Sequence, residues 1–251
     1  MRLPNPVREK LQRGEVSIGS FLNLASPVAA EVMAVAGYEW LVVDAEHAQW
    51  DLGLIVEGIR AIEAQGCVPL VRPWSHDPTA FARILDAGAQ GLVIPHVSTA
   101  EQARAIAKAV RYTPHGERSA GTGRGTIAPD WRAKINDNLL ICPQIEDLEG
   151  VNNAAAIMAV DGMDVAFIGP SDLALSMGLS TADAFKHPDH VAAIAKILAG
   201  AKANRKPAGT PVGTVEIARN AIKQGFQFID YASDFRILQA AAAEQLKAIK
   251  A

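Results

Sequence analysis

The sequence has few cysteines and aromatic residues, and its charge is nearly balanced. Its two cysteines, Cys67 and Cys142, each lie within a strand-like run, where a cysteine usually serves as a small buried hydrophobe. We therefore expect neither a disulfide nor a nucleophilic thiol. The 24 basic and 27 acidic residues are scattered along the chain, which argues against nucleic acid as a partner.

Long hydrophobic runs are also missing. Glu31, Asp44 and Asp172 interrupt the longest apolar runs before any of them could span a bilayer. The opening segment, MRLPNPVREKLQRGE, lacks the apolar core of a signal peptide. We therefore expect a cytoplasmic protein with no membrane partner.

What the sequence does contain is an alternation of short apolar runs with longer, Ala-rich segments of helical period. Eight runs have the character of strands: VSIGSFLNL, WLVVD, CVPLVR, GLVIP, LLICPQIE, DVAFIG, KPAGTPVG and FQFID. Continuous apolar strands that alternate with helices are typical of a parallel sheet covered by helices. Eight such units predict a (β/α)8 barrel, and the length of 251 residues suits one domain, residues 1–251. A doubly wound open sheet is the alternative, because periodicity does not show closure.

One segment, residues 111–138, is too long and too rich in Gly, Pro and polar residues for an ordinary connection. It follows a helix and precedes a strand, so in a barrel it begins on the face opposite the catalytic one. We expect it to reach an active site only in a neighbouring subunit. Its GTGRGT sequence lacks the preceding strand and the Gly-Lys-Ser/Thr ending of a phosphate-binding loop.

Polar residues follow four of the predicted strands, where catalytic groups of such barrels lie. They are Asp44, Glu46 and His47 after the second strand, Arg72 after the third, Gln144 and Glu146 at the end of the fifth, and Gly169, Pro170, Ser171 and Asp172 after the sixth. Each also has a purely structural interpretation: Asp44 as a helix cap, His47 as a hydrogen-bonded loop residue, Arg72 as the ion-pair partner of a rim carboxylate. Their coincidence at one rim favours a functional site.

Two of these residues are carboxylates at adjacent strands: Glu146 ends the fifth strand, and Asp172 lies in the turn after the sixth. The sequence offers no Cys ligands and no His-x-x-x-His pair beside them. Such a pair of carboxylates suits a hard divalent ion such as Mg²⁺ or Mn²⁺ and leaves most coordination positions to water and substrate. Backbone N–H groups near Ser171 suit a substrate carboxylate. A chelating 2-oxo acid fits both features.

An Arg and a His beside a chelated 2-oxo acid indicate enolate chemistry. We expect Arg72 to stabilise negative charge on the former keto oxygen and His47 to move the proton at the adjacent carbon. The Asp-x-x-His spacing suggests that Asp44 orients the His47 imidazole.

The ordered set VVDAEHAQWD, VPLVRP, GLVIPHV, RYTPHGER, CPQIEDLEGVNN and VAFIGPSDLALSMG resembles the 4-hydroxy-2-oxoheptanedioate and 2-dehydro-3-deoxyglucarate aldolases, the metal-dependent class II pyruvate aldolases. The match runs from about Val16 to about Asp234. It implies a barrel of the phosphoenolpyruvate/pyruvate superfamily, and a carbon–carbon lyase that cleaves 4-hydroxy-2-oxo acids reversibly to pyruvate, or a related 2-oxo acid such as hydroxypyruvate, and an aldehyde. It further implies a homo-oligomer, a hexamer or trimer of dimers with helix exchange, and Mg²⁺, Mn²⁺ or Co²⁺ as cofactor.

Carried over by motif, the resemblance implies that Glu146 and Asp172 bind the metal and that Arg72 binds the keto oxygen. It also implies that His47 and Asp44 transfer protons and that Gln144 supports the metal-bound water or the substrate. The pyruvate carboxylate would be bound by Gly169, Pro170, Ser171 and Asp172. The loop around 118–125 resembles the family segment that approaches a neighbour's site. Phe21, His96, Val212 and the segment SAGTGRGT depart from the common pattern. Phe21 changes the pocket wall, His96 has a structural or supporting role, and Val212 and SAGTGRGT are expected to shape the aldehyde pocket. The resemblance therefore predicts the pyruvate half of the substrate and not the aldehyde.

Three alternatives stay open. A Schiff-base aldolase needs a lysine inside the barrel at a strand end, yet Lys206 precedes its strand. A lyase of the same superfamily that acts on coenzyme A esters is disfavoured because no basic groove for the nucleotide is evident. A non-catalytic oligomeric scaffold would bind no metal.

Overall fold

The computed structural model describes residues 3–128, 130–182 and 184–251. Within them, eight parallel strands are hydrogen-bonded in sequence order, and the first pairs with the last, so the barrel is closed. The strands are β1 Ser17–Leu22, β2 Trp40–Asp44, β3 Val68–Arg72, β4 Gly91–Ile94, β5 Leu140–Ile145, β6 Ala166–Ile168, β7 Ala208–Val212 and β8 Phe228–Tyr231. All eight predicted strands and the predicted (β/α)8 barrel are confirmed, and the open sheet is excluded.

Helices connect the strands on the outside of the barrel. They are α1 Pro6–Gln12, α2 Pro27–Val35, α3 Leu52–Ala64, α4 Pro78–Asp86, α5 Ala100–Val110, α6 Trp131–Ile135, α7 Leu148–Met158, α8 Pro170–Ser176, α9 Pro188–Ala203, α10 Val215–Gln224 and α11 Asp234–Lys250, with short 3-10 turns at Arg124–Ile127 and Ala184–Lys186. Many begin with a side-chain cap, such as Asp51 before α3 and the Thr99 capping box before α5, which satisfies the free N–H groups of the first turn. None of the helices in the described ranges is long and apolar enough to cross a bilayer.

The strands separate two apolar layers, because successive side chains of a strand point to opposite faces. On β2, Leu41 and Val43 join the large outer core under the helices, whereas Trp40 and Val42 belong to a smaller cluster inside the barrel. The Trp40 ring stacks on Phe228 with centroids 3.7 Å apart. Gly19 faces this pair, and a Cβ there would lie 2.0 Å from the indole, so the position excludes any side chain.

Helix α1 closes the amino-terminal end of the barrel. Its Val7 and Leu11 are buried in the interior cluster. Asn5 caps the helix through hydrogen bonds from Val7 and Arg8, and its own side-chain amide donates to the carbonyl of Asn138. Val7 and Leu11 therefore fill the barrel interior at this end, whereas the carboxyl ends of the strands surround an open cavity.

The long segment 111–138 lies near the same end as α1. Arg118 donates to Asp86 at the end of α4 over 2.6 Å and lies above the Tyr112 ring. Arg124 forms an ion pair with Glu63 near the end of α3. Because these helix ends lead into the amino ends of strands, the segment lies opposite the carboxyl rim, as predicted.

Candidate active site

A cavity of about 1110 Å³ opens at the carboxyl ends of the strands. Its walls include Phe21 from β1, Arg72 from β3 and Gln144 from β5. The turn into α8, the end of β8 and the inner side of α11 complete the lining. Polar residues from distant parts of the sequence therefore meet at one rim, as the strand order requires.

Arg72 and Asp44 form a buried ion pair on one side of the cavity. The guanidinium donates through Nε to Asp44 Oδ1 at 2.9 Å and through Nη2 to Oδ2 at 2.8 Å. Asn23 adds a 2.6 Å hydrogen bond to Oδ2. Burial acts to lower the pKa of Arg72, but the Asp44 hydrogen bond and the surrounding carboxylates outweigh it, so the pKa is raised. Arg72 is a fixed positive charge, 5.0 Å above the Phe21 ring.

The position of Asp44 differs from the expectation that it orients His47. Its Oδ1 accepts the backbone N–H groups of Glu46 and His47, each at 3.3 Å, in addition to the bond from Arg72. The His47 ring is largely exposed, and its closest carboxylate is Glu46, with 3.6 Å between Nε2 and Oε2. Asp44 thus stabilises the turn by accepting backbone hydrogen bonds, and it also fixes the position of Arg72. The guanidinium has five N–H donors and binds both oxygens of the carboxylate.

Glu146 lies deeper, at the end of β5, with a side chain that is 1% exposed. Gln144 donates a short hydrogen bond to Oε2, and the backbone N–H of His96 donates to Oε1 at 2.7 Å. Burial raises the pKa of Glu146; the hydrogen bonds from Gln144 and His96 oppose this shift, and the charge of Asp172 adds to it.

His96 bridges two glutamates. Its Nδ1 lies 3.1 Å from Glu146 Oε1, and its Nε2 lies 3.5 Å from Glu46 Oε1. The residue adopts φ +54°, a conformation that non-glycine residues rarely take, and this conformation directs both its N–H and its ring to Glu146. Its place in the site was not predicted from the sequence.

The turn from β6 into α8 brings Asp172 to the cavity wall. Gly169 precedes the helix, and a Cβ there would lie 2.2 Å from Glu146 Oε2, so the close packing of Glu146 depends on glycine. The buried His190 lies 2.9 Å from the carbonyl of Pro170 through Nε2 and fixes the start of α8. The structure therefore brings the predicted residues of β5 and α8 together.

Glu146, Asp172 and Gln144 are the oxygen-bearing side chains of the cavity that could hold a divalent ion. No group of three or more His, Cys, Asp or Glu side chains arranged for a metal occurs in residues 3–128, 130–182 and 184–251. Glu146 and Asp172 are close enough for one charge to act on the other. Among the residues that the structure describes, none is a hydrogen-bond partner of the buried Oε1 of Gln144. A buried carboxylate beside a second carboxylate and an unpaired amide oxygen fits a hard cation that takes its other ligands from substrate and water.

Sequence reasoning missed Asp230 and Asn23. Asp230 is the last inward-facing residue of β8 and lines the cavity with Arg72. The other residues were predicted because a polar side chain ends an apolar strand. Asp230 ends the run FQFID in the same way. Asn23 follows β1 and holds Asp44, and no pattern in the sequence distinguishes it from an ordinary loop residue.

The chain is similar to known proteins over nearly its whole length. A family model described as HpcH/HpaI aldolase/citrate lyase matches residues 17–241. The 5-keto-4-deoxy-D-glucarate aldolase of Klebsiella pneumoniae is 36% identical over an alignment of 253 positions, which covers 98% of this chain and 97% of the relative. A HpcH/HpaI aldolase/citrate lyase family protein from Burkholderia cenocepacia superposes with a TM-score of 0.92 at 32% identity, over 98% of this chain and all of the other. A HpcH/HpaI aldolase from Desulfitobacterium hafniense gives 0.89 at 30% identity, over 97% and 96%.

Proposed function

Because the chain belongs to the HpcH/HpaI aldolase/citrate lyase family, we propose that it cleaves 4-hydroxy-2-oxo acids reversibly to pyruvate and an aldehyde. The observation that carries the proposal is the fixed Arg72 guanidinium in the same cavity as the turn that bears Asp172. The name of the Klebsiella relative favours 5-keto-4-deoxy-D-glucarate, a six-carbon diacid, as the substrate; hydroxypyruvate can be tested in place of pyruvate.

We assign the divalent ion, Mg²⁺, Mn²⁺ or Co²⁺, to Glu146 and Asp172, with Gln144 supporting the bound water or substrate. When bound, the ion supplies Lewis-acid polarisation of the keto group. The raised pKa of Glu146 supports this assignment, because a cation would stabilise the ionised carboxylate that burial disfavours.

Arg72 is assigned to the keto oxygen. During cleavage the C4 hydroxyl gives its proton to His47, and the C3–C4 bond breaks to release the aldehyde. The electron pair of that bond becomes that of the pyruvate enolate. Arg72 stabilises the negative charge on the enolate oxygen, and the Asp44 pair keeps the guanidinium in place while this happens. The enolate then takes a proton at C3 to give pyruvate.

His47 is assigned to proton transfer. Its exposed ring is able to exchange protons with solvent, and Glu46 at 3.6 Å stabilises the imidazolium. In this proposal Glu46, and not Asp44 as the sequence suggested, is the carboxylate that interacts with the His47 imidazole. Asp44 contributes by holding Arg72 in position. The backbone of Gly169, Pro170, Ser171 and Asp172 holds the pyruvate carboxylate.

We also propose a homo-oligomer in which α11 is exchanged between subunits, with a hexamer built as a trimer of dimers. Among the residues of α11 that the structure describes, only Asp234 is buried, and Leu238, Leu246 and Ile249 are exposed apolar side chains. A second set of exposed apolar side chains occurs on the helices that flank the junction of β1 and β8: Val28, Val32 and Val35 on α2, and Val215 and Ile217 on α10. A partner's α11 would cover both sets.

The test is a retro-aldol assay over 4-hydroxy-2-oxo acids with coupled detection of pyruvate, in the presence of each metal and of EDTA. We expect metal-dependent pyruvate release that EDTA abolishes. Cleavage that persists in EDTA and is lost on treatment with borohydride and pyruvate would indicate a Schiff base instead. A Schiff base at Lys206 is disfavoured because this residue lies at the amino end of its strand, where it donates to the carbonyl of Val160. Activity restricted to coenzyme A esters would overturn the proposed substrate class.

A further inference from the structure

Asp230 is an ionisable residue of the cavity to which the reaction assigns no role. Side chains two residues apart on a strand point the same way, so Asp230 faces the interior as Phe228 does, one layer nearer the open rim. It is buried, it lines the cavity with Arg72, and its Oδ1 has no hydrogen-bond partner in the part of the chain that the structure describes. A buried, unpaired carboxyl oxygen beside a substrate cavity requires an explanation.

Its surroundings are rich in negative charge. The partners of Asp230 in the adjacent strands, Gly19 on β1 and Pro211 on β7, are not ionisable. Ionisable groups that face this part of the cavity or lie beyond it come from most of the elements around it. They include Tyr38 before β2, Asp44, Glu46 and His47 at the end of β2, Arg72 on β3, His96 after β4, Glu146 on β5, Asp172 on α8, Tyr231 at the end of β8, and Asp234, Arg236 and Glu244 on α11. Arg72 is already paired with two carboxylates, so a further negative charge is poorly compensated.

Burial raises the pKa of Asp230 to about 7. The positive charge of Arg72 and the backbone N–H of Phe21 oppose the shift, and the negative charge of Asp44 adds to it. Neutral and ionised forms of Asp230 therefore coexist near neutral pH.

We propose that Asp230 is a positioning residue whose proton determines how strongly the site at Arg72 holds an anionic substrate. As a neutral acid, Asp230 leaves the charge of Arg72 available to the incoming anion. When ionised, it places a negative charge beside the same guanidinium and weakens anion binding. The proposal rests on the proposed function in one respect, that the bound anion is a 2-oxo acid. No proton passes between Asp230 and the substrate.

The experiment is calorimetric titration of the Mg²⁺-loaded protein with pyruvate, from about pH 6 to about pH 8.5, in buffers of low and high ionisation enthalpy. We expect the wild-type affinity to fall about tenfold over this range, which corresponds to one pKa unit of coupling between two charges. Binding at a pH between the pKa values of Asp230 in the free and the pyruvate-bound protein should take up a fraction of a proton, about one half at most. Asp230→Asn, which is permanently neutral, should show a constant affinity and no such uptake.

Asp161→Asn, at an exposed position outside the cavity, is the matched control and should reproduce the wild-type profile. Asp230→Ala replaces Asp230→Asn if the latter does not fold. In the wild type itself, the ¹³C resonance of the Asp230 carboxyl should titrate near neutral pH and shift to higher pH when pyruvate is added.

A wild-type affinity that does not change with pH, or an Asp230→Asn variant that keeps the wild-type profile, would overturn the proposal. Failure of the proposed function gives a different result: pyruvate binding with the expected dependence on pH, but no cleavage of any 4-hydroxy-2-oxo acid. Cleavage together with binding that is independent of pH would remove the role of Asp230 alone.

Discussion

Arg72 holds both carboxylate oxygens of Asp44, at 2.9 and 2.8 Å, inside a rim where the Asp44 side chain has no exposure to solvent. A two-point contact of this kind fixes the plane of the guanidinium as well as its position. The remaining face of Arg72 is thereby directed to the cavity, where we propose that its charge acts on the substrate.

Removing the charge of Asp44 tests this relationship. Asp44→Asn should lower kcat/KM by about 100-fold or more and the free energy of unfolding by about 3 kcal/mol, because it leaves a buried arginine without its main partner. Kinetics and urea denaturation measure the two effects. Glu57→Gln, which breaks an exposed pair with Arg60, should change stability by less than about 1 kcal/mol. Equal effects of the two substitutions would contradict the role of Asp44.

Metal binding and proton transfer should be separable by mutation. Glu146→Ala should lose Mn²⁺ affinity, measured by electron paramagnetic resonance, because it removes one of the two protein ligands that we propose. His47→Ala should keep the metal and lose the exchange of pyruvate methyl protons with solvent, followed by proton NMR. Loss of metal in both variants would refute the separate roles.

Two glycine substitutions should have different consequences. Gly169→Ala puts a methyl group against Glu146 Oε2, so we expect activity to fall by about 100-fold because the carboxylate is displaced from its productive position. Gly19→Ala puts the methyl group into the Trp40 ring, and overpacking of the barrel interior should lower stability by about 1 to 3 kcal/mol. Thermal unfolding and the retro-aldol assay together distinguish the two; a Gly169→Ala enzyme with normal kcat/KM would count against the packing described.

The pKa of Asp230 also predicts how stability changes with pH. Its folded-state value of about 7 lies above the ordinary value of an aspartate, about 3.9. Between these values the folded state binds more protons than the unfolded state, so Asp230 makes stability fall as pH rises through this window. Asp230→Asn should be more stable than wild type by about 2 to 4 kcal/mol at pH 8, with the gain disappearing toward pH 4. Denaturant melts at several pH values measure this, and a constant difference would argue against the shifted pKa.

The exposed apolar face of α11 predicts a dependence of assembly on Leu238 and Val32. Leu238→Glu on α11 and Val32→Glu on α2 should each reduce the oligomer measured by light scattering, because a charge would be buried in the exchanged interface. Lys247→Glu, also on α11, is the control for charge alone. An unchanged mass for both substitutions would exclude the exchange.

Much of this molecule was predictable from its sequence. Continuous apolar strands such as WLVVD, bounded by helix caps and glycines, predicted the barrel, and the family membership inferred from the ordered motifs is confirmed. The carbon–carbon lyase of the aldolase type predicted from those motifs agrees with the named relatives. These features depend on local periodicity and on the fixed order of strands.

Contacts between side chains from different strands were not predictable in the same way. Asp44 and His47 are three residues apart, yet the arginine 28 residues away takes the carboxylate. The bridge from His96 to Glu146 depends on a left-handed residue, and nothing in GLVIPHV indicates that conformation. Asp230 was overlooked although the strand-end rule applied to it.

The α1 helix, with Val7 and Leu11 filling the base of the barrel, has a kinetic consequence. The cavity at the carboxyl ends of the strands extends from Arg72 to the inner side of α11. If pyruvate is held at Arg72, as proposed, the aldehyde occupies the part of the cavity nearer α11, and we expect sequential release in which the aldehyde departs before pyruvate.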